Sequence, residues 1–323
     1  MTLRAVIRGI GHYLPERVVE NAEFEKTIDT NDAWIRSRTG IERRHFAAEG
    51  ETTSMLGTKA CLAALEDAGL GPDDLDALIV ATSTPDLTFP AAATMIQGEL
   101  GMTRGFAFDV QAVCAGFAYA MTTANALIAS GQAQRVMVCG AETFSRLMDW
   151  TDRGTCVLFG DGAGAVLLEA RNAEGTAQDR GILASEIHSD GRYKDILYVD
   201  GGVSTHTTGH LRMHGKEVFR HAVEKLAGTA RTTLAKAGLT PADIDWIVPH
   251  QANLRILTAT ADRLNVPMEK VIVTVQDHGN TSAASIPLAL SIGKADGRLK
   301  VGDLAVIGAI GGGLAWGSVV FRV

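Results

Sequence analysis

Two patterns of apolar positions alternate along the chain. Residues 77–81, 136–141 and 304–309 are short, almost continuously apolar runs, which are typical of strands buried on both faces. Between such runs lie longer segments, several of which end at glycine and have the composition of helices. Strands that alternate with helices predict an α/β protein whose parallel sheets are covered by helices.

The pattern occurs twice. Residues 65–81 and 234–248 both predict a helix, a glycine stop, a proline turn and then a strand, and Gly238 follows Gly69 by 169 residues. We therefore expect two duplicated βα halves, residues 1–172 and 173–323, in a layered α-β-α-β-α architecture. The same offset places Cys114 opposite Ala283 and Gln111 opposite Asn280 across a pseudo-twofold axis.

Three segments stand outside this pattern. Residues 144–158 have no counterpart in the second half, and residues 186–215 are polar and predicted to form long loops, the usual carriers of specificity. The glycine-rich residues 159–165 are interpreted as a tight turn between strands. Residues 311–313 are three glycines, which would let backbone N–H groups approach a substrate carbonyl.

Three candidate catalytic residues follow predicted strands. Cys114 follows residues 106–110, His250 follows residues 246–248, and Asn280 follows residues 271–275. Ligands of open α/β sheets bind beyond the carboxyl ends of strands. A thiol, an imidazole and an amide could supply a nucleophile and two hydrogen-bond donors for acyl transfer.

Cys114 is predicted to begin a helix that ends near Ser130. The positive end of the helix dipole would favour its thiolate, although a buried structural cysteine is the commoner case. The other cysteines are interpreted as structural: Cys61, Cys139 and Cys156. A metal site at His206, His210 and His214 is not favoured despite their spacing, because they lie among Thr and Gly in a predicted loop.

Composition narrows the class of protein. The 323 residues carry a net charge of −7, which argues against nucleic-acid binding but leaves room for a local basic patch that receives an acidic protein. No apolar run is long enough to span a membrane, and no signal peptide is recognisable. Four cysteines without close spacing suit a reducing compartment, so we expect a cytoplasmic protein.

A set of motifs strongly resembles the β-ketoacyl-acyl-carrier-protein synthase III family of the thiolase-like superfamily, in the family's order and over nearly the whole chain. These are residues 31–35 (NDAWI), 38–41 (RTGI), 109–117 (DVQAVCAGF), 152–155 (DRGT), 159–165 (FGDGAGA), 250–255 (HQANLR), 278–282 (HGNTS) and 311–318 (GGGLAWGS).

The resemblance implies an acyltransferase with a Cys114, His250 and Asn280 triad that initiates fatty acid synthesis without a cofactor. Cys114 would take an acyl group from an acyl-CoA, with acetyl-CoA as the expected primer, and malonyl-ACP would then lose CO2 and attack the thioester. His250 and Asn280 would stabilise the enolate. The backbone N–H groups of Cys114 and Gly312 would form the other oxyanion hole.

The resemblance also assigns binding residues. Trp34 and Arg153 would sandwich the adenine of CoA, with Arg38 nearby and Asn253 on the pantetheine arm. Phe89 would close the acyl pocket of the neighbouring subunit in a homodimer. The acyl carrier protein would meet a basic patch made of four residues: Lys216, Arg220, Arg255 and Arg263.

Some positions depart from the family's common pattern, namely Val113, Ile310, Leu314 and Ala315, and they leave the primer open. A degradative thiolase is rejected, because no cysteine follows Cys156 to act as the second base. Two alternatives remain: a related acyltransferase or quinolone- or polyketide-forming synthase on the same scaffold, and an inactive homologue that only binds acyl-CoA.

Overall fold

A computed structural model describes residues 2–323 of the chain. Its strands are β1 (Thr2–Tyr13), β2 (Arg17–Glu20), β3 (Arg43–Phe46), β4 (Ala77–Ala81), β5 (Phe106–Val110), β6 (Arg135–Thr143), β7 (Asp161–Ala173), β8 (Gly181–Ser189), β9 (Leu197–Val199), β10 (Leu211–Met213), β11 (Trp246–Pro249), β12 (Leu304–Gly311) and β13 (Ala315–Arg322). Its helices are α1 (Asn21–Phe24), α2 (Asp32–Thr39), α3 (Thr53–Ala68), α4 (Ala92–Leu100), α5 (Gly116–Ala129), α6 (Gly215–Lys236), α7 (Leu254–Leu264), α8 (Val275–His278) and α9 (Ser285–Ala295).

The two halves build two sheets with the same strand order. The first sheet has the order β1-β7-β6-β4-β5, and the second has the order β8-β13-β12-β11. Beyond β11, a single bridge joins Ile247 to Val271 where the first sheet has β5. In the first sheet β6, β4 and β5 pair in parallel, and β1, β7 and β6 pair antiparallel. In the second sheet β12 and β11 pair in parallel, and β8, β13 and β12 pair antiparallel, so the sheets are mixed rather than wholly parallel.

Three apolar clusters define five layers. Helices α5 and α9 lie between the sheets in the largest cluster, which both sheets share. Helices α3 and α4 cover the outer face of the first sheet, and α6 and α7 cover that of the second. The predicted layered α-β-α-β-α architecture is confirmed, whereas the boundary between residues 172 and 173 stays a prediction.

The glycine-rich segment 159–165 is not the predicted turn. Residues 161–165 belong to β7, and they pack directly under α9. A Cβ on Gly164 would lie 2.7 Å from the backbone nitrogen of Leu288, a distance that real Cβ contacts do not reach. The glycines therefore allow a helix to approach a strand closely.

Two other expectations need correction. The predicted strand 271–275 is a single bridge followed by the short helix α8, because the chain must turn there to place Asn280. Residues 186–215, predicted as long loops, contain the end of β8 and the antiparallel pair β9 and β10. Within residues 2–323, every helix is too short or too polar to cross a membrane.

Candidate active site

Two matching turns lie between the sheets and their buried helices. A 3-10 turn, Val113–Ala115, precedes α5, and another, Ser282–Ala284, precedes α9 at the same repeat offset. Each begins with a non-glycine residue in the left-handed region, Val113 with φ 50° and Ser282 with φ 49°. Such values are uncommon for a non-glycine residue and rarer for valine. Their repetition confirms the predicted pseudo-twofold relation of the two segments.

Cys114 lies in the 3-10 turn Val113–Ala115, which precedes α5, and so it is not part of the α-helix itself. Its side chain is buried, and burial raises the pKa of the thiol to about 12; the nearby Ser282 hydroxyl opposes this rise in pKa and the negative charge of Glu142 adds to it. The expected thiolate is therefore wrong for the resting protein, because loss of hydration outweighs the favourable end of the helix. The resting nucleophile is a thiol that must lose its proton on reaction.

His250 follows β11 and is held by a hydroxyl group. Its Nδ1 lies 2.7 Å from Ser285 Oγ, and Ser285 Oγ also accepts a hydrogen bond of 3.2 Å from the Gln251 backbone N–H. Among residues 2–323, His250 Nδ1 is the acceptor that the structure offers to the Ser285 hydroxyl, so the network places the imidazole proton on Nε2. Burial lowers the pKa of His250 to about 3, so the ring is neutral and acts as a donor.

Asn280 is oriented by the turn that follows it. Its Oδ1 accepts a 2.9 Å hydrogen bond from the Ser282 backbone N–H, so the amide turns its Nδ2 donor the other way. The Asn280 backbone pairs with Leu158 and Gly160 at 2.8 and 3.0 Å. Asn280 and His250 thus offer two neutral N–H donors, the arrangement that suits a developing oxyanion.

A cavity of about 430 Å³ brings these groups together. Cys114, His250 and Asn280 all line it, as the sequence predicted. Other predicted site residues along its wall are Trp34, Arg38, Asn253, Lys216 and Arg255. A mainly apolar cavity with a few converging polar groups is the usual form of a substrate site.

The residues predicted to hold adenine lie together beside the cavity. Trp34 and Arg38 lie one turn apart on α2, and the Arg153 guanidinium lies 5.0 Å from the centroid of the Trp34 ring. Arg153 also donates to the backbone oxygen of Asp29 at 2.6 Å. The two predicted stacking partners already touch each other, so an adenine can enter only if Arg153 moves outward. Asn253 caps α7 by accepting from Ile256 N at 3.0 Å.

The four predicted basic residues are all exposed, but they do not form one group. Lys216 and Arg255 line the cavity, and Arg220 lies one turn beyond Lys216 on α6. Arg263 lies at the other end of α7, about 12 Å along the helix from Arg255. The structure therefore places three of the four near the opening.

The glycine segment 311–313 reaches the nucleophile through Gly311. A Cβ on Gly311 would lie 2.7 Å from the Cys114 backbone nitrogen, whereas one on Gly312 would meet Leu197 O at 2.6 Å. Gly312 lines a second cavity of about 1080 Å³, which shares Val113 with the first. An oxyanion hole made by the N–H groups of Cys114 and Gly312 stays a prediction.

The positions that depart from the family pattern lie around the nucleophile. Val113 and Ile310 line the cavity, and Leu314 is fully buried behind Ile310. Phe89 is not among the residues that line this cavity; it lies in the loop between β4 and α4, and 82% of its surface is exposed. Its role in closing the acyl pocket of a neighbouring subunit stays a prediction.

The remaining cysteines are buried. Cys61 and Cys139 lie in the outer apolar cluster of the first half, as a structural role requires. Cys156 lies in a turn and packs in a separate apolar cluster of the first half. Within residues 2–323, no three His, Cys, Asp or Glu side chains are grouped as metal ligands.

Sequence reasoning missed the residues that orient the donors. Ser285 holds His250, the Ser282 backbone holds Asn280, and Glu142 lies near Cys114. The repeat was the available signal, because it aligns residues 282–285 with the residues around Cys114. Serine alone is too common on helices to have singled out these positions.

Five layers, two matching turns and a cavity shared by a cysteine, a histidine and an asparagine define the class of thiolase-like condensing enzymes. The patterns described as "3-Oxoacyl-[acyl-carrier-protein (ACP)] synthase III" and its C-terminal part match residues 108–191 and 234–323. Two curated relatives named β-ketoacyl-[acyl-carrier-protein] synthase III, from Cereibacter sphaeroides and Ruegeria pomeroyi, are 74% and 73% identical over 100% of both chains.

Solved structures agree with this relationship. The 3-oxoacyl-[acyl-carrier-protein] synthase III of Aquifex aeolicus is 44% identical, with a TM-score of 0.93 over 99% of this chain and 100% of that one. A priming β-ketosynthase of a polyketide biosynthetic pathway is 35% identical, with a TM-score of 0.93 over 100% and 97%. The chain belongs to the β-ketoacyl-[acyl-carrier-protein] synthase III family, and it is a condensing acyltransferase.

Proposed function

We propose that the chain catalyses the decarboxylative condensation of an acyl-CoA primer, acetyl-CoA in the simplest case, with malonyl-ACP. The product is 3-oxoacyl-ACP, and the reaction would initiate fatty acid synthesis. The observation that carries the proposal is the single cavity in which Cys114 faces two donors, His250 Nε2 and Asn280 Nδ2, whose orientation is set by hydrogen bonds on their other atoms.

In the first half-reaction, the sulfur of Cys114 attacks the thioester carbon of the acyl-CoA and CoA leaves. Backbone N–H groups near Cys114 would stabilise the oxyanion that forms, and the absent side chain of Gly311 allows the two backbone segments to approach. The thiol proton must leave at this step, because burial keeps the resting thiol protonated.

In the second half-reaction, malonyl-ACP enters the same cavity and loses CO2. The electron pair of the broken C–C bond passes to the thioester oxygen, and His250 and Asn280 donate to that oxygen. A neutral histidine suits this role, since it stabilises charge without first giving up its proton. The resulting carbanion attacks the acyl group on Cys114 and releases the sulfur.

Two sets of residues beside the cavity would hold the two proposed substrates. Trp34, Arg38 and Arg153 would hold the adenine and phosphates of CoA, after Arg153 moves away from the Trp34 ring. Because the whole chain is itself acidic, an acidic carrier protein must be attracted by a local basic patch. Lys216, Arg220 and Arg255 would form that patch. Arg263 is the weakest member of this patch because of its distance along α7.

We further propose a symmetric homodimer built along the first sheet. Strand β5 is the edge of that sheet, and Phe106 on it is 42% exposed. Phe89 and Leu87, 82% and 52% exposed, lie in the loop after β4. Exposed large apolar side chains on this unpaired edge and in this loop suit a contact between copies, in which Phe89 would enter the partner's cavity. Location in the cytosol stays a prediction.

Mass spectrometry tests the proposed intermediate. Protein incubated with acetyl-CoA should gain one acetyl group on the peptide that contains Cys114, and malonyl-ACP should then remove it as 3-oxoacyl-ACP. Cys114→Ala should gain none. A panel of longer and branched acyl-CoAs would define the primer. Labelling of Cys61, Cys139 or Cys156 in place of Cys114 would overturn the assignment.

A priming synthase of polyketide formation is the second candidate, because one such enzyme shares the fold at 35% identity. The 74% identity to a β-ketoacyl-[acyl-carrier-protein] synthase III favours the first. The same acyl-CoA panel distinguishes them when the malonyl group is carried by fatty-acid and polyketide carrier proteins in parallel.

A further inference from the structure

One buried carboxyl group near the nucleophile has no part in the mechanism above. Glu142 lies in β6 with no exposed surface. Its Oε2 accepts hydrogen bonds from Thr84 Oγ1 at 2.7 Å, Ser83 N at 3.0 Å and Thr82 Oγ1 at 3.3 Å. Its Oε1 accepts none from residues 2–323. A buried carboxyl with an unpaired oxygen is costly, so its position requires an explanation.

The strand of Glu142 is linked to the Cys114 turn through the turn Ser282–Ala284. The turn Ser282–Ala284 packs against both β6 and the Cys114 turn, and the Ser282 hydroxyl lowers the pKa of Glu142 and of Cys114 alike. This hydroxyl has no well-formed hydrogen bond in the resting structure. The hydroxyl thus lies where the Cys114 turn and the strand of Glu142 both pack, with its proton not committed to another group.

The acid–base balance of the pair suits proton exchange. Burial raises the pKa of Glu142 to about 7, so the carboxylate is populated at neutral pH beside a protonated thiol. The groups that bond Glu142 from the loop after β4 are two hydroxyls and one backbone N–H, and Gly162 lies opposite on β7. From the two turns, the Ser282 hydroxyl and the Cys114 thiol are near enough for their pKa and that of Glu142 to be linked. A carboxyl with this environment can take up and release one proton near pH 7.

We propose that Glu142 is a positioning residue that takes the Cys114 proton through the Ser282 hydroxyl and holds it while the acyl-enzyme exists. This inference rests on the proposed acyl-Cys114 intermediate. His250 is poorly suited to hold the proton, because its Nδ1 is occupied by Ser285 and burial disfavours its charged form.

The proton balance closes over one cycle. During acylation, the S–H proton passes to Ser282 while the Ser282 proton passes to Glu142; the new S–C bond forms and CoA leaves as a thiolate. During condensation, the malonyl C–C bond breaks, CO2 departs, the new C–C bond forms and Cys114 leaves as a thiolate. Glu142 then returns its proton through Ser282, and the resting thiol and carboxylate are restored.

The test measures the rate at which iodoacetamide alkylates Cys114 across about pH 6 to 9, by mass spectrometry of the Cys114 peptide. In the natural protein the rate should rise and level off near the pKa of Glu142, because a proton acceptor is then always present. In Glu142→Gln the levelling should vanish, and the rate near pH 7.5 should fall by about 10²-fold. Ser282→Ala should reproduce this change.

Asp161→Asn is the matched control. Asp161 is also a fully buried carboxyl, but it accepts hydrogen bonds from Ser145 and Ala47 and bonds no residue around Cys114. The alkylation rate of Cys114 in Asp161→Asn should therefore depend on pH as it does in the natural protein. Levelling that persists in Glu142→Gln, or faster alkylation of this variant at every pH, would overturn the proposal. If Glu142→Gln does not fold, Ser282→Ala provides the test: an alkylation pH profile equal to that of the natural protein would overturn the proposal. Acetylation of the natural protein by acetyl-CoA tests the acyl-enzyme separately.

Discussion

The two halves of the molecule place the same turn in front of the same buried helix, yet they prepare it for different chemistry. In the first half, Cys114 lies inside the turn and is kept protonated by burial. In the second half, Asn280 and His250 lie beside the turn and its helix, and their donors are fixed by Ser282 and Ser285. One half supplies the nucleophile and the other supplies fixed donors, so substitutions in each should affect different steps.

The second half should control condensation most strongly through Asn280. Replacing Asn280 by Asp keeps the size of the side chain but replaces the Nδ2 donor with an acceptor. We expect the rate of condensation with malonyl-ACP to fall by about 10²–10³-fold, the usual effect of losing one oxyanion donor. Steady-state kinetics with purified malonyl-ACP measure it. A rate within twofold of the natural protein would remove Asn280 from the mechanism.

The halves should differ just as clearly in how they tolerate added volume. Gly140 of β6 pairs with Ala81 and Gly308 of β12 pairs with Pro249, which are matching positions of the repeat. A Cβ on Gly140 would lie 2.3 Å from Ala283 O, whereas one on Gly308 would lie 3.6 Å from Leu226.

Gly140→Ala should therefore lower the free energy of unfolding by about 1–3 kcal/mol. Gly308→Ala should change it by less than about 0.5 kcal/mol. Urea unfolding followed by circular dichroism compares the two variants directly. Equal losses would show that the turn of the second half does not press on the first sheet as the structure indicates.

The orientation of His250 should depend on one hydroxyl. Ser285→Ala removes the partner of Nδ1 and frees the ring to adopt the other tautomer, so we expect condensation to slow by about tenfold. Ser291→Ala is a matched control, because Ser291 Oγ lies at the same 2.7 Å distance from His12 Nδ1 and on the same helix. A similar loss in both variants would point to a general weakening of α9.

The smallest effect should lie at the cavity opening. Arg255→Glu should raise KM for malonyl-ACP several-fold and weaken its dependence on salt, because an exposed charge acts mainly on encounter. Acylation by acetyl-CoA should change less. Arg263→Glu changes charge equally at the far end of α7, so it separates local contact from net charge. An equal rise in KM for both would move the docking surface along the helix.

Much of this arrangement was predictable from the sequence, because the repeat is visible at the glycine stops and proline turns. Gly69 and Gly238 end matching helices, and the predicted layers followed from apolar strands that alternate with helices. Cys114, His250 and Asn280 were predicted correctly as neighbours, since each follows a strand-like segment and a specific motif.

The protonation of Cys114 and the course of residues 159–165 were not predictable in the same way. The sequence showed that Cys114 lies near the start of a helix, which favours the thiolate. The burial that instead raises the pKa of the thiol depends on packing from the other half of the chain. A glycine run has the same composition in a turn and in a strand covered closely by a helix. Only the contact between Gly164 and α9 distinguishes the two.

The division of labour between the halves is tested most directly by the mass of His250→Ala after incubation with acetyl-CoA and then with malonyl-ACP. The account predicts that Cys114 still gains one acetyl group, at least in part, and that the group then remains because malonyl-ACP is neither decarboxylated nor condensed. Loss of acetylation to the same extent as loss of decarboxylation would contradict it, and so would condensation at the rate of the natural protein.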